Sequence, residues 1–203
     1  MKLYYNKRSP FVRKVQVVAI EKGLEKQLTL IEADLKNKPQ GLLDANPLGK
    51  IPALVLEDGT FIVDSPVIAA YIDSLNKTPL LIPRQAARKF RVLHIEALAD
   101  GIAEAAIVAY MESLLPEEKR NQALIDKNTG MIFRTLAHLE AGEMKWLRSK
   151  RLTLAPIAVG VALGYINFRL PQIGWQKKHK KLARWFKIFE ERPSMKATLP
   201  QVA

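Results

Sequence analysis

Every strand signal in this 203-residue chain falls within its first 63 residues. Short apolar runs alternate there with helical periodicity. Lys2–Asn6 reads as a strand. Pro10–Lys22 reads as a helix with apolar Phe11, Val15, Val18 and Ala19, ended by Gly23. Gln27–Asp34 alternates as a second strand, and residues 37–46 read as a loop with one short helical turn. Ala53–Glu57 and Phe61–Val63 flank Asp58-Gly59, a strong hairpin signal. Ser65-Pro66 then opens a helix to about Leu75. The order is β-α-β-(loop)-β-β-α. A helical crossover allows a parallel first pair, and a tight turn makes the last pair antiparallel.

The pattern changes at Thr78–Arg84, where Pro79 and Pro83 bracket Leu80-Leu81-Ile82. Beyond it only helical periodicity remains, over Gln85–Leu114, roughly Glu117–Arg148, Leu154–Phe168 and His179–Glu191. The expected organisation is an α/β domain over 1–77, a linker over 78–84 and an all-α domain over 85–203. No internal repeat or low-complexity segment interrupts it. The uncharged stretch Leu152–Phe168 reaches the lower length bound of a membrane span. It contains Thr153, Pro156, Gly160, Gly164 and Asn167, and so reads as a buried helix. The N-terminal Met-Lys-Leu-Tyr-Tyr lacks the apolar core of a secretory signal. The expected compartment is the cytoplasm, with no membrane partner.

Composition removes several chemistries. There is no Cys, which excludes disulfides, redox Cys pairs, thiolate metal sites and a protein-borne thiol nucleophile. His94, His138 and His179 are the only histidines and lie far apart, so neither a His-based metal centre nor a Ser–His triad finds support. No metal is expected. The 32 Lys and Arg outnumber the 20 Asp and Glu, a net charge of +12. Residues 1–82 hold 11 of the bases and 9 of the acids, so almost all the excess lies in the helical half. It concentrates in Lys177, Lys178, Lys180, Lys181, Arg184, Lys187, Arg192 and Lys196. Such a stripe can attract a polyanion. Leu182, Trp185, Phe186 and Phe189 share one helical face, however, as a core stripe does rather than as stacking platforms.

Three short motifs carry the functional reading. Ser9-Pro10-Phe11-Val12-Arg13 sits where the first strand gives way to the first helix. Ser9 suits an N-cap there, or turns its hydroxyl outward to an anion at the helix start. Asn46-Pro47-Leu48-Gly49-Lys50-Ile51-Pro52-Ala53-Leu54 leads into a strand. A cis bond at Ile51-Pro52 would turn the Ile51 backbone groups out of the sheet, toward an extended peptide ligand. Asp64-Ser65-Pro66 lies where a strand ends and a helix begins. Ser65 and the free helix N–H groups could hold a carboxylate, and Asp64 an ammonium. A free amino-acid head carries both.

On these residues, in this order, the chain resembles the glutathione transferase superfamily over essentially its whole length. The resemblance implies a thioredoxin-like N-terminal domain followed by a helical C-terminal domain. The Ser9–Arg13 segment is similar to the active-site segment of the Ser/Cys-type branches, with Ser where others carry Cys. Gly49–Leu54 resembles the cis-proline segment, and Asp64-Ser65 the acidic-Ser pair. Arg184-Trp185 through Arg192-Pro193-Ser194 resembles the last helix. Glu96–Gly101 resembles the inner helix at the dimer cleft of a bacterial branch.

Glutathione is then the implied co-substrate and small electrophiles the implied substrates. Ser9 would hydrogen-bond the thiolate and Ile51 would pair by backbone with the cysteinyl unit. Lys50 would lie near the glycyl carboxylate, and Asp64 and Ser65 would bind the γ-glutamyl end. In the homodimer that the resemblance implies, Asp100 would reach the γ-glutamyl amine from the partner subunit. Tyr5, Phe11 and Tyr110 are the candidates for the electrophile pocket, and Tyr5 is also a rival to Ser9 at the sulfur. The alternative is a non-catalytic interaction protein on the same fold, binding nucleic acid or a polymerase through its basic half.

Two departures from the family pattern stand out. Asp64 is one methylene shorter than the more usual Glu. The Ser/Thr-x-x-Asp box that commonly starts the buried helix reads Thr153-Leu154-Ala155-Pro156, and proline has no N–H for the Thr153 side chain to accept from. With Ser9 in place of Cys, mixed-disulfide and reductase chemistry is disfavoured, whereas conjugation, isomerisation and dehalogenation stay open.

Overall fold

A computed structural model describes residues 1–200 of the chain. The chain packs as two compact units. One comprises Met1–Ile82 together with the segment from Pro193 onward, the other Pro83–Arg192.

The first unit is a thioredoxin-like four-stranded sheet with helices. Strands β1 (Lys2–Tyr5), β2 (Thr29–Glu32), β3 (Ala53–Val55) and β4 (Phe61–Ile62) lie in the order β2-β1-β3-β4. β1 pairs in parallel with β2, with Leu3 opposite Leu30, and antiparallel with β3, with Leu3 opposite Leu54. β3 and β4 are antiparallel, with Leu54 opposite Ile62. β2 is shorter than the expected Gln27–Asp34 because it is an edge strand whose residues are mostly exposed. Helix α1 (Pro10–Glu21) follows β1 and packs against α3 (Ser65–Ser74). The expected helical turn in the 37–46 loop is α2 (Gln40–Ala45). Gly23 ends α1 at φ 66 and Gly59 shapes the hairpin at φ 84, both conformations that cost an L side chain energy.

Residues 78–82 of the expected linker 78–84, with Asn76 before them, are tied to this unit. The buried Lys22 Nζ donates to Asp73 Oδ1 at 2.8 Å, to the Asn76 carbonyl at 3.0 Å and to the Pro79 carbonyl. Asp73 in turn accepts from the Leu81 and Ile82 N–H groups, each at 2.9 Å. At the far end of the chain, α10 (Pro193–Ala197) packs on α1. The expected helical domain 85–203 therefore differs from the observed division at both ends.

The second unit is all helical: α4 (Ala86–Ser113), α5 (Gln122–His138), α6 (Met144–Leu147), α7 (Leu154–Arg169), α8 (Trp175–Lys178) and α9 (Lys180–Phe189). The uncharged stretch forms α7, with 12 of its 16 residues buried, and α7 packs along α4. No single helix among the described residues is long and apolar enough to cross a membrane. Leu182, Trp185, Phe186 and Phe189 are buried, as their spacing predicted. Burial of each stabilises by about 1.5–3 kcal/mol. The expected helix over 117–148 is broken instead. It has a 3-10 turn at Glu117–Lys119 and a π-helical segment, Leu139–Glu143, between α5 and α6.

Candidate functional site

Strand register brings the three motifs to one end of the sheet. Tyr4 of β1 lies opposite Ala53 of β3, so the chain leaving β1 toward Ser9 and the chain entering β3 from Ile51-Pro52 share an end. Because β4 runs antiparallel to β3, its exit toward Asp64-Ser65 lies at that end too. Helices α1 and α3 both begin there, with unpaired N–H groups that favour negative charge.

Ser9 is the N-cap of α1. Its Oγ accepts from the Val12 N–H at 3.3 Å, and its own N–H donates to the Asn6 carbonyl at 3.1 Å. Capping uses a lone pair of the hydroxyl and leaves the proton for a further acceptor. Capping and ligand contact, posed as alternatives by the sequence, are thus compatible. The side chain is half-buried, as are those of Tyr5 and Phe11 nearby in the chain.

Asp64 and Ser65 begin α3. Asp64 holds the N-cap position with an exposed side chain that makes no capping bond to its helix. Ser65 is 1% exposed, and its Oγ has no hydrogen-bond partner among the described residues. A buried hydroxyl left unpaired costs about 1–3 kcal/mol. An uncommitted carboxylate beside an unsatisfied hydroxyl fits a ligand carrying both an ammonium and a carboxylate.

The segment between α2 and β3 is held from within. Buried Asn46 donates from Nδ2 to the Lys50 carbonyl at 2.8 Å and accepts at Oδ1 from the Leu48 N–H at 3.0 Å. The Ile51–Pro52 peptide bond is cis. The Ile51 side chain packs against Ala33, Leu42, Ala45 and Ala53, while its N–H and C=O make no backbone hydrogen bond among the described residues. Lys50 is exposed. Sequence reading missed Lys38, whose Nζ lies 2.9 Å from where a Gly49 Cβ would stand. This puts a second cation beside the segment that carries Lys50. Lys38 precedes α2 in the chain and Gly49 follows it, and no local sequence pattern links them. Asn46 was visible only as the start of a motif, without a role.

Asp100 and Tyr110 lie on α4 in the second unit. Asp100 is half-buried and already has an interaction partner. The Tyr110 hydroxyl accepts from Arg169 Nη1 at 2.9 Å, and the Arg169 guanidinium sits 4.5 Å from the Tyr110 ring centre. Among the described residues no three His, Asp or Glu side chains form a group that could hold a metal ion.

Residues 8–75 match the model of the glutathione S-transferase N-terminal domain, and residues 98–193 that of the C-terminal domain. The chain is 36% identical to the uncharacterised GST-like protein YibF of Escherichia coli, with all of both chains covered. It is similar to the crystal structure of a glutathione transferase family member from Pseudomonas fluorescens Pf-5 with bound glutathione, at 40% identity, TM-score 0.94 and 99% coverage of each chain. A second structure from that organism holds S-(propanoic acid)-glutathione, at 39% identity, TM-score 0.91 and full coverage of both chains.

Proposed function

The chain belongs to the glutathione S-transferase family, and on that premise we propose that it binds glutathione at the shared strand end of its first unit and conjugates the thiol to small electrophiles. The observation that carries this reading is the buried Ser65 hydroxyl, without a hydrogen-bond partner among the described residues, beside an Asp64 carboxylate that makes no capping bond to its helix. The γ-glutamyl end of glutathione supplies the two groups these residues lack: a carboxylate for Ser65 and the helix N–H groups, an ammonium for Asp64. The Ile51 N–H and C=O pair with the cysteinyl unit, and Lys50 with Lys38 attracts the glycyl carboxylate. That order presents the sulfur toward the start of α1.

There Ser9 donates its hydroxyl proton to the thiolate. A free thiol is only a few per cent ionised at neutral pH. Lowering its pKa by about 2 units takes about 2.7 kcal/mol and raises the ionised fraction roughly 20–30-fold. Nucleophilicity falls as the pKa falls, so the net gain is smaller. Holding the electrophile beside the sulfur supplies the rest of the rate, and Tyr5 and Phe11 offer it apolar contacts. The thiolate forms a carbon–sulfur bond. It either displaces a leaving group, which departs with its electron pair, or adds to an activated double bond whose carbanion then takes a proton.

Calorimetric titration with millimolar glutathione tests the reading. We expect binding in the parent protein and at least about a tenfold loss in Ser65→Ala, the range for a hydrogen bond to a charged group. Without glutathione, Ser65→Ala should be as stable as the parent or more so, because it removes an unsatisfied hydroxyl rather than a bond. Absence of binding heat in the parent would overturn the proposal. Turnover of a chloro-nitro-aromatic electrophile separates a transferase from an interaction protein that only binds the tripeptide.

A further inference from the structure

The turn that joins β1 to α1 carries two cations for which glutathione has no use. It reads Asn6-Lys7-Arg8-Ser9, between Tyr5 at the end of β1 and Pro10 at the start of α1. Lys7 and Arg8 are both exposed, and neither forms an ion pair among the described residues. Asp34, just beyond the end of the neighbouring β2, is bound within its own loop. It accepts from the Lys36 N–H at 2.8 Å and from Asn37 Nδ2 at 3.1 Å.

Asn6 fixes the turn. Its carbonyl accepts from the Ser9 N–H at 3.1 Å, and its Oδ1 accepts from the Arg8 N–H at 3.0 Å. Arg8 Nε makes a longer contact of 3.5 Å with the same oxygen. The guanidinium is thus held by its Nε edge, and both Nη groups are left for another acceptor. It stands one residue before the hydroxyl that meets the sulfur.

Charge matching then separates the uses of this sheet end. The thiolate form of glutathione carries an ammonium, two carboxylates and the charged sulfur. Asp64 takes the ammonium, and Ser65 with the start of α3 takes the γ-glutamyl carboxylate. Lys50 with Lys38 takes the glycyl carboxylate, and Ser9 takes the sulfur. Lys7 and Arg8 remain, in the turn that delivers Ser9. A neutral electrophile gives them no role. An anionic one is repelled by the thiolate it must approach, and a cation beside the sulfur offsets that repulsion.

We propose that Arg8, with Lys7 beside it, selects electrophiles that carry a carboxylate. The inference rests on the glutathione reading of the same site. The carboxylate accepts from the Arg8 Nη groups, whose planar fork suits it. The body of the electrophile lies against the half-buried Tyr5 and Phe11, which flank the turn in the chain. Arg8 is a specificity residue on this account and leaves activation of the thiol to Ser9.

S-(4-carboxybenzyl)glutathione and S-(4-carbamoylbenzyl)glutathione differ in charge and hardly in shape. Calorimetric titration of the full chain with each, beside glutathione itself, tests the proposal. We expect the carboxylate adduct to bind about threefold or more tighter than the amide, with the preference shrinking as salt rises. Arg8→Gln should abolish the preference and leave glutathione and the amide adduct within about twofold of the parent. Arg8→Lys should keep part of it, since the charge remains and the fork is lost. In Arg8→Gln the pKa of the bound glutathione thiol should not move. Equal affinity for the two adducts in the parent, or a preference that survives Arg8→Gln, would overturn the proposal while glutathione binding still stands. A raised thiol pKa in Arg8→Gln would overturn it too, by assigning the cation to the sulfur. Absence of heat with glutathione itself would remove the site reading and this inference together.

Discussion

Ser9 and Ser65 both stand at helix starts, and both were legible in the sequence as caps or anion ligands. The fold sets them to different uses. Ser9 caps α1 through Val12, whereas the Ser65 hydroxyl is buried in the first turn of α3 with no hydrogen-bond partner among the described residues. Ser9 can therefore be dissected by substitution. Ser9→Ala removes the cap and the hydroxyl and should cost about 1 kcal/mol of stability. Ser9→Gly removes the hydroxyl but costs only a few tenths of a kcal/mol at an N-cap. Both should raise the pKa of the bound glutathione thiol by the same amount in a thiol titration, although their melting temperatures differ. Tyr5→Phe should leave that pKa unchanged. A rise in Tyr5→Phe alone would move the sulfur contact from Ser9 to Tyr5. The role of Lys38 could not be read in this way, because only the folded loop brings its ammonium to Gly49.

Among the elements, α7 shows a sequence expectation and a structural consequence meeting at one bond. Thr153 is its N-cap, yet the side chain makes no capping hydrogen bond and its buried Oγ1 has no partner among the described residues. The third helical residue is Pro156, which has no N–H to donate. Pro156→Asp restores that donor and places an acid in the first turn. It should raise stability by about 1 kcal/mol, read as a higher unfolding midpoint. An unchanged or lower midpoint would show that the proline's fixed φ matters more than the lost cap. Elements that departed from expectation did so through distant partners. In the π-helical segment, Glu140 accepts from the Leu182 N–H at 3.1 Å and from the Lys181 N–H, satisfying the first turn of α9. Glu143 in the same segment is fully buried against Arg91. Helical periodicity over 117–148 is the same with or without those partners, so the break could not be foreseen.

At the scale of the whole molecule, the chain's last described segment returns to the first unit. Arg13, 6% exposed, donates from Nη2 to the Met195 carbonyl at 2.9 Å and from Nε to Thr198 Oγ1 at 3.3 Å. Ser194 donates to Glu21. Ending the chain after Arg192 should thus destabilise the first unit, although every sheet residue remains. The expected loss is about 2 kcal/mol or more from the charged hydrogen bond to Met195 alone, measured as a lower unfolding midpoint. An unaltered midpoint would show α10 to be a passive tail. The sequence by itself determined the β-α-β-β-β-α order, the helical second half, the hairpin at Asp58-Gly59, the α9 stripe and the three motifs. Each rests on signals within a few residues: periodicity, caps and turn chemistry. Only the tertiary structure decided that the Ser65 hydroxyl has no partner among the described residues, that Lys38 stands at Gly49, and that residues 76–82 are bound by Lys22 and Asp73. Burial and pairing depend on atoms far apart in the chain, and only packing determines which of them meet.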